Sequence, residues 1–173
     1  RILHEMRFGE TASLALGGGR VYYGTVDATP LFVMLIGELS RWGSRREEVD
    51  ALLPAADAAL EWITDYGDRD GDGYIEYQRT TDHGLQNQGW KDSWDSMRFV
   101  DGSLAATPIA LCEVQGYVYA ALIARGHCAT EAGDDELAGV LTARAADLKR
   151  RFNEDFWVEA DDGGYIAIGL DRD

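Results

Sequence analysis

The sequence predicts an all-α domain of layered helices, apolar ones inside and amphipathic ones outside, with short β segments in the loops. Three observations lead there. Two helix-length stretches, near residues 30–42 and 107–125, are apolar almost all round, as buried helices are. Two others, near 46–65 and 134–153, carry one apolar seam and one charged face. The two kinds alternate along the chain: inner, outer, inner, outer. Two such pairs cannot close a ring, so the chain is expected to be part of a larger helical toroid or to self-associate through its inner helices.

Each element has its own signal. Residues 1–25 read as loop with short extended pieces; the glycines at 17–19 break any helix, Val21-Tyr22-Tyr23 is a β-type triplet, and Arg7, Glu10 and Asp27 are charges around this loop. Thr29-Pro30 opens the first helix, with Thr as N-cap and Pro in the first helical position. Leu31, Met34, Leu35, Leu39 and Trp42 follow at helical spacing, Phe32, Val33 and Ile36 cover another side, and Gly43 ends it. In the second helix, 46–65, Leu53, Ala56, Leu60 and Ile63 form the seam; Pro54 would kink it or mark a late start. Thr107-Pro108 opens the third helix, which places Glu113 mid-helix on a face shared with Ile109, Gly116 and Tyr117. The fourth carries Leu137, Leu141, Ala145, Leu148 and Phe152 as one stripe; after it, Asp161 to Gly164 turn into a strand over 165–170.

Charge and composition narrow the function. The 173 residues are 46% hydrophobic and carry 31 acids against 16 bases, a net charge of −15. Nucleic acid and anionic membrane surfaces would be repelled, whereas a neutral oligo- or polysaccharide would not. No apolar run is long enough to span a membrane. Cys112 and Cys128, on one helix, would lie ~24 Å apart along its axis, beyond disulfide reach. Two free thiols fit a reducing, cytoplasmic setting. The three histidines form no metal-ligand pair, and Ser93 and Ser96 have no nucleophile-elbow setting, so zinc and serine-nucleophile chemistry are not expected.

Two stretches carry candidate chemistry. Gln86 to Arg98, QNQGWKDSWDSMR, sets Asp92 and Asp95 three residues apart beside Trp90 and Trp94, with amides at Gln86, Asn87 and Gln88. Carboxylates move protons, indoles lie against sugar rings and amides bond hydroxyls, which together suit a polyol. The same acids would equally suit the start of a helix. Residues 68–77, DRDGDGYIEY, place Asp68, Asp70, Asp72 and Gly73 like the first half of a calcium loop. The twelfth position is Arg79 instead of Glu, so Glu76 or an acid from elsewhere would have to complete the shell. The plain alternative is a tight Asp/Gly turn. No cofactor is required; Ca2+ is the one candidate. Glu113 on an apolar helix must pair with an Arg such as Arg7 or Arg98, or else face a wet cavity.

In order, YYGTVDATPLFVMLIGE, DRDGDGYIEY, NQGWKDSWDS and PIALCEVQGYVYAAL resemble the bacterial amylo-alpha-1,6-glucosidase, or glycogen-debranching-like, glycosidases, which are (α/α)6-barrel enzymes. The resemblance spans nearly the whole chain and implies one catalytic domain over residues 1–173, or part of one. It implies an inverting hydrolase of alpha-glucosidic linkages. Asp92 in WKDS matches the general acid, with Asp95 as the alternative; Asp27 and Glu113 would bond sugar hydroxyls, Trp90 and Trp94 would wall the site, and Lys91 and Tyr117 would flank it. Inverting enzymes hold their two carboxyls ~6.5–9.5 Å apart and retaining ones ~5–5.5 Å. Asp92 and Asp95, if helical, would sit near the shorter figure, so they are not expected to be each other's partners. In the family the base lies further along than residue 173, so these residues alone are expected to show little or no activity. The alternative is a non-catalytic carbohydrate- or calcium-binding helical module.

Overall fold

A computed structural model describes residues 1–9, 19–161 and 163–172. Glu10 and the glycines at 17 and 18 lie outside the described residues. The first helix, α1 (Ala28–Arg41), starts at Ala28 with Asp27 as N-cap, ahead of the expected Thr29-Pro30 start. Thr29 does not cap the helix. It is buried, and its hydroxyl accepts the Ile2 backbone N–H at 3.1 Å. Pro30 sits in the first turn, where the missing N–H costs no helical bond.

The second helix, α2 (Arg46–Trp62), ends before residue 65 in a π-helical turn over Ile63–Gly67. Pro54 lies within it without ending it. Ala56, Leu60 and Ile63 are buried as the seam predicts.

The third helix, α3 (Cys112–Ala132), begins at Cys112, not Thr107. The Thr107–Pro108 peptide is cis, and the residues after it are extended because other backbone claims them. Ile109 exchanges both backbone hydrogen bonds with Tyr77, each 3.1 Å. Strand β3 (Ala110–Leu111) pairs antiparallel with β6 (Gly169–Leu170). Glu113 therefore stands in the first turn of α3 instead of its middle.

The fourth helix, α4 (Asp135–Asp155), is capped by the Asp134 carboxylate, which accepts the Leu137 N–H at 3.0 Å. Its buried residues Leu141, Ala145 and Leu148 are the predicted stripe.

The remaining strands also pair in twos: β1 (Glu5–Met6) with β2 (Val21–Tyr22), and β4 (Trp157–Ala160) with β5 (Gly163–Ile166). The single strand expected over 165–170 is split. Ala167 N–H turns to the Phe156 carbonyl (2.8 Å), and the Ile168 carbonyl accepts the Cys112 N–H (3.0 Å). The chain is thus mainly helical with short strands, not strictly all-α.

α1 packs on α3, with α2 against α1 and α4 against α3, so the two apolar helices lie at the middle of the layer. Gly37 marks the closest approach: a Cβ there would lie 2.5 Å from the Ala124 Cβ. Gly37→Ala is expected to cost ~1–3 kcal/mol by forcing α1 from α3, measured by urea denaturation. Arg125 crosses from α3 to α2 and grips Asp57 with two bonds, 2.7 and 3.1 Å. Phe156 is fully buried, stacked on Phe152 (ring centroids 4.6 Å) and edge-on to Tyr74 (5.3 Å).

α1 is not buried all round, as its composition suggests. Leu31 and Leu35 are exposed, and so is Trp42 just beyond its end. Cys112 and Cys128 are both free and both on α3. Among the described residues no helix is long and apolar enough to cross a membrane.

Candidate functional site

Both middle helices begin at the loop Gln86–Arg98. Asp27 stands at the N-cap position of α1, without a side-chain cap bond, and Glu113 lies in the first turn of α3. The Gln88 carbonyl accepts the Val26 N–H at 2.9 Å, and the Thr25 hydroxyl lies between that carbonyl (3.1 Å) and the Asp27 carboxylate, which it also contacts. One residue on, a Cβ at Gly89 would sit 2.2 Å from Leu111 Cδ1 and 3.6 Å from Glu113 Oε1. Any side chain there would have to push the Leu111 side chain aside. Gln88 and Gly89 are therefore held between the Asp27 and Glu113 side of the two helix starts, and Trp90 to Asp95 leave from that point.

The loop is not helical, so Asp92 and Asp95 are not fixed at helical spacing. Its shape comes from Asn87, which is buried. The Asn87 amide oxygen accepts the Tyr77 hydroxyl at 2.7 Å, and its nitrogen donates to the Ser93 carbonyl (2.6 Å) and the Ser96 hydroxyl (3.0 Å). The Ser96 hydroxyl in turn donates to the Lys91 carbonyl at 2.7 Å. Asn87 is thus a scaffold residue, its amide consumed internally and not presented to a ligand. Gln86 is exposed, whereas Gln88 is buried.

The two aspartates part company here. Asp92 is exposed, and among the described residues its carboxylate has no hydrogen-bond or ion-pair partner. Asp95 is bound by the Arg98 side chain at 2.6 Å. Trp90 and Trp94 do not bury either acid, being 69% and 68% exposed. Instead they stand out as open aromatic faces, with the Lys91 ammonium 5.3 Å from the Trp90 ring centre.

Glu113 is half-buried and takes neither expected arginine: Arg7 pairs with Glu5 and Arg98 with Asp95. The Cys112 thiol donates to it at 3.6 Å, and burial and this carboxylate push that thiol's pKa up. Tyr117 is half-buried one turn further along α3. Tyr77 is buried, and desolvation with the nearby Glu113 charge pushes its phenol up.

The acidic loop forms a second cluster. Carboxylate oxygens of Asp68, Asp70 and Glu76 lie within 4.8 Å of one another. Asp68 accepts the N–H groups of Gly71 (2.7 Å) and Gly73 (2.9 Å), Asp70 that of Asp72 (3.1 Å), and Glu76 that of Arg69 (3.0 Å). Asp72 is left out of the set: its carboxylate accepts the Tyr74 N–H at 2.8 Å. Glu76 is 5% exposed, and desolvation together with the charges of Asp70, Asp72 and Asp68 pushes its pKa to about 7. Desolvation first, then the Asp70 and Asp68 charges, also raise Asp72. An all-oxygen carboxylate set with its charges crowded together fits a hard divalent cation, with water or carbonyls filling the shell.

Gln115 was legible only as part of an apolar helix, yet it ties this loop down. Its amide bonds both backbone groups of Ile75: it accepts the N–H at 3.0 Å and donates to the carbonyl at 2.8 Å. A polar residue on an inner helix was the available signal, since a buried amide must find partners. A scan of the chain against protein-family models finds no match, and a search of curated proteins finds none.

Proposed function

We propose that the chain is part of an (α/α)6-type catalytic domain of an inverting glycoside hydrolase acting on alpha-glucosidic linkages, with its substrate at the common start of α1 and α3. The observation that carries this reading is the seating of Gln88 and Gly89 between Asp27 and Glu113, which brings the indole- and acid-bearing loop to two half-buried carboxylates. Asp92 is the preferred acid. Asp95 is already engaged by the Arg98 side chain, whereas Asp92 has no partner among the described residues and is open to a ligand. In this reading Trp90 and Trp94 stack on sugar rings, while Lys91, Asp27, Glu113 and Tyr117 bond hydroxyls. Asp92 gives its proton to the departing glycosidic oxygen, and a carboxylate on the opposite face of the sugar activates the water.

A second reading has its own support. The cluster of Asp68, Asp70 and Glu76 suits a bound Ca2+, which would also fit a non-catalytic carbohydrate- or calcium-binding helical module. The two are separated by turnover in a domain that contains this chain. The first requires hydrolysis of an alpha-glucoside with inversion, abolished by Asp92→Asn and kept by Asp95→Asn. Hydrolysis untouched by Asp92→Asn overturns Asp92 as the acid, and binding without turnover favours the module.

Sugar binding can be tested on the chain itself. Maltose or isomaltose is expected to quench tryptophan fluorescence saturably, and Trp90→Ala to weaken binding by ~10-fold, the worth of one stacking face of ~1–1.5 kcal/mol. No saturable binding of either disaccharide would remove the carbohydrate reading. The exposed Leu31, Leu35 and Trp42 are, in the same proposal, the surface that further helices or a second copy would cover.

A further inference from the structure

Most arginines on the helices hold carboxylates: Arg46 with Asp50, Arg125 with Asp57 and Arg150 with Glu154 at 2.7 Å, and Arg151 with Asp147 at 3.0 Å, whereas Arg144 donates to the Thr64 hydroxyl at 2.7 Å. That is the expected state in a chain of net charge −15. Arg1, Arg69 and Arg79 differ. They line one concave region of about 280 Å3 together with Tyr22, Trp62 and Tyr66. Among the described residues their side-chain bonds are all to neutral acceptors. Arg69 reaches the Gln78 amide oxygen at 3.4 Å and Arg79 the Gly84 carbonyl at 3.4 Å. Arg1 reaches the Thr25 carbonyl at 3.0 Å and the Gln88 amide oxygen at 3.4 Å.

A guanidinium has five N–H donors, so most donors here remain unused. The like charges also act on each other: burial, and next the Arg69 charge, lower the Arg1 pKa. Positive charge has been gathered in one place on an acidic protein, and among the described residues none of these guanidinium groups bonds a carboxylate. Glu76 is the one acid among the lining residues, and its carboxylate accepts the Arg69 backbone N–H, not a guanidinium. The rest of the wall is of another kind. Tyr66 is 67% exposed, the Trp62 ring lies 5.3 Å from the Arg1 guanidinium carbon, and Gln78 and Thr80 offer amide and hydroxyl groups.

We propose that this region binds a sugar bearing one anionic group, a carboxylate or a phosphate monoester. The guanidinium groups take the anion, which they match in charge and in bidentate geometry. The aromatic rings take the flat face of the sugar, and the amide and hydroxyl groups its hydroxyls. The volume is close to the lower end of ligand pockets, ~300 Å3, which suits one ring and not a chain. The site is apart from Asp92 and does not rest on the hydrolase reading: neither Asp92 nor Trp90 lines it.

The experiment is calorimetry on the chain with glucose 6-phosphate, glucuronate, glucose and inorganic phosphate. At least one of the two anionic sugars is expected to bind saturably in the millimolar range or below, and ~10-fold or more tighter than glucose or phosphate alone. The tighter of the two identifies the anion. The double variant Arg69→Gln/Arg79→Gln is expected to lose ~10-fold or more of that affinity. Both side chains are exposed, so its melting temperature should stay unchanged. Trp62→Phe, which keeps an aromatic face, should keep the heat of binding. Absence of saturable binding by both anionic sugars, binding that survives the double variant, or equal affinity for inorganic phosphate and glucose 6-phosphate would each overturn the proposal.

Discussion

Replacing Gln115 with leucine is expected to destabilise the fold by about 4 kcal/mol, because it leaves two buried backbone groups without partners at ~1–3 kcal/mol each and removes a well-aligned amide. Gln115 is 1% exposed. It closes a pair of bonds with the N–H and carbonyl of Ile75, and its nitrogen also donates to the Leu111 carbonyl at 3.1 Å. Ile75 is itself buried, so water cannot replace the amide. For a chain of this size a loss of about 4 kcal/mol lowers the melting temperature by ~8–16 °C. Thermal denaturation followed by circular dichroism measures it. A fall of under ~2 °C would mean that the loop bearing Asp68, Asp70 and Glu76 does not depend on α3. Gln115→Glu should be nearly as damaging, since a carboxylate cannot donate to the Ile75 carbonyl.

The second large effect is a loss of stability with rising pH, centred on Glu76. Its carboxyl is pushed to about 7 from an ordinary 4.5 by desolvation and by the Asp70, Asp72 and Asp68 charges. The unfolded chain gives up this proton near pH 4.5 and the folded chain near pH 7. Between those values the folded state holds more protons, so stability falls as pH rises and levels off above the upper one. Each pH unit separating the two titrations is worth ~1.4 kcal/mol, so the loss is on the order of 3–4 kcal/mol. Denaturation curves at pH 5, 6, 7 and 8 should show the decline, and Glu76→Gln should flatten it and raise stability at pH 8. A cation held by Asp68, Asp70 and Glu76 would reverse the sign, because it favours the ionised carboxylate. Millimolar Ca2+ at pH 8 is therefore expected to raise the melting temperature of the native chain, and to do so less in Glu76→Gln. A chain whose stability is flat from pH 5 to 8 would show that Glu76 keeps its ordinary pKa.

Much of the fold could be read from residue order. The seams of α2 and α4 are the predicted ones, since a one-sided apolar stripe has only one way to hide from water. Helix starts were less legible. Two Thr-Pro pairs look alike, yet one lies inside α1 and the other precedes α3. What separates them is distant backbone: Ile2 claims the Thr29 hydroxyl, and Tyr77 claims both backbone groups of Ile109. No window of local sequence contains those partners.

The site divides in the same way. The choice of Trp, Asp and amide residues in Gln86–Arg98 was legible, but their duties were not. Asn87 is a brace for the loop, and Asp95 an ion-pair partner of Arg98. The acidic loop showed its turn from its Asp and Gly spacing, but only the folded geometry brings Glu76 to Asp68 and Asp70 and turns Asp72 to the Tyr74 N–H instead. Residue order by itself determined the alternation of inner and outer helices, the acidic character and the turn chemistry, because these depend on neighbours a few positions away. Tertiary structure alone decided where α3 begins, which amides are consumed and how Arg1 comes to line one region with Arg69 and Arg79, because those outcomes depend on backbone groups and charges that approach only after the chain has folded.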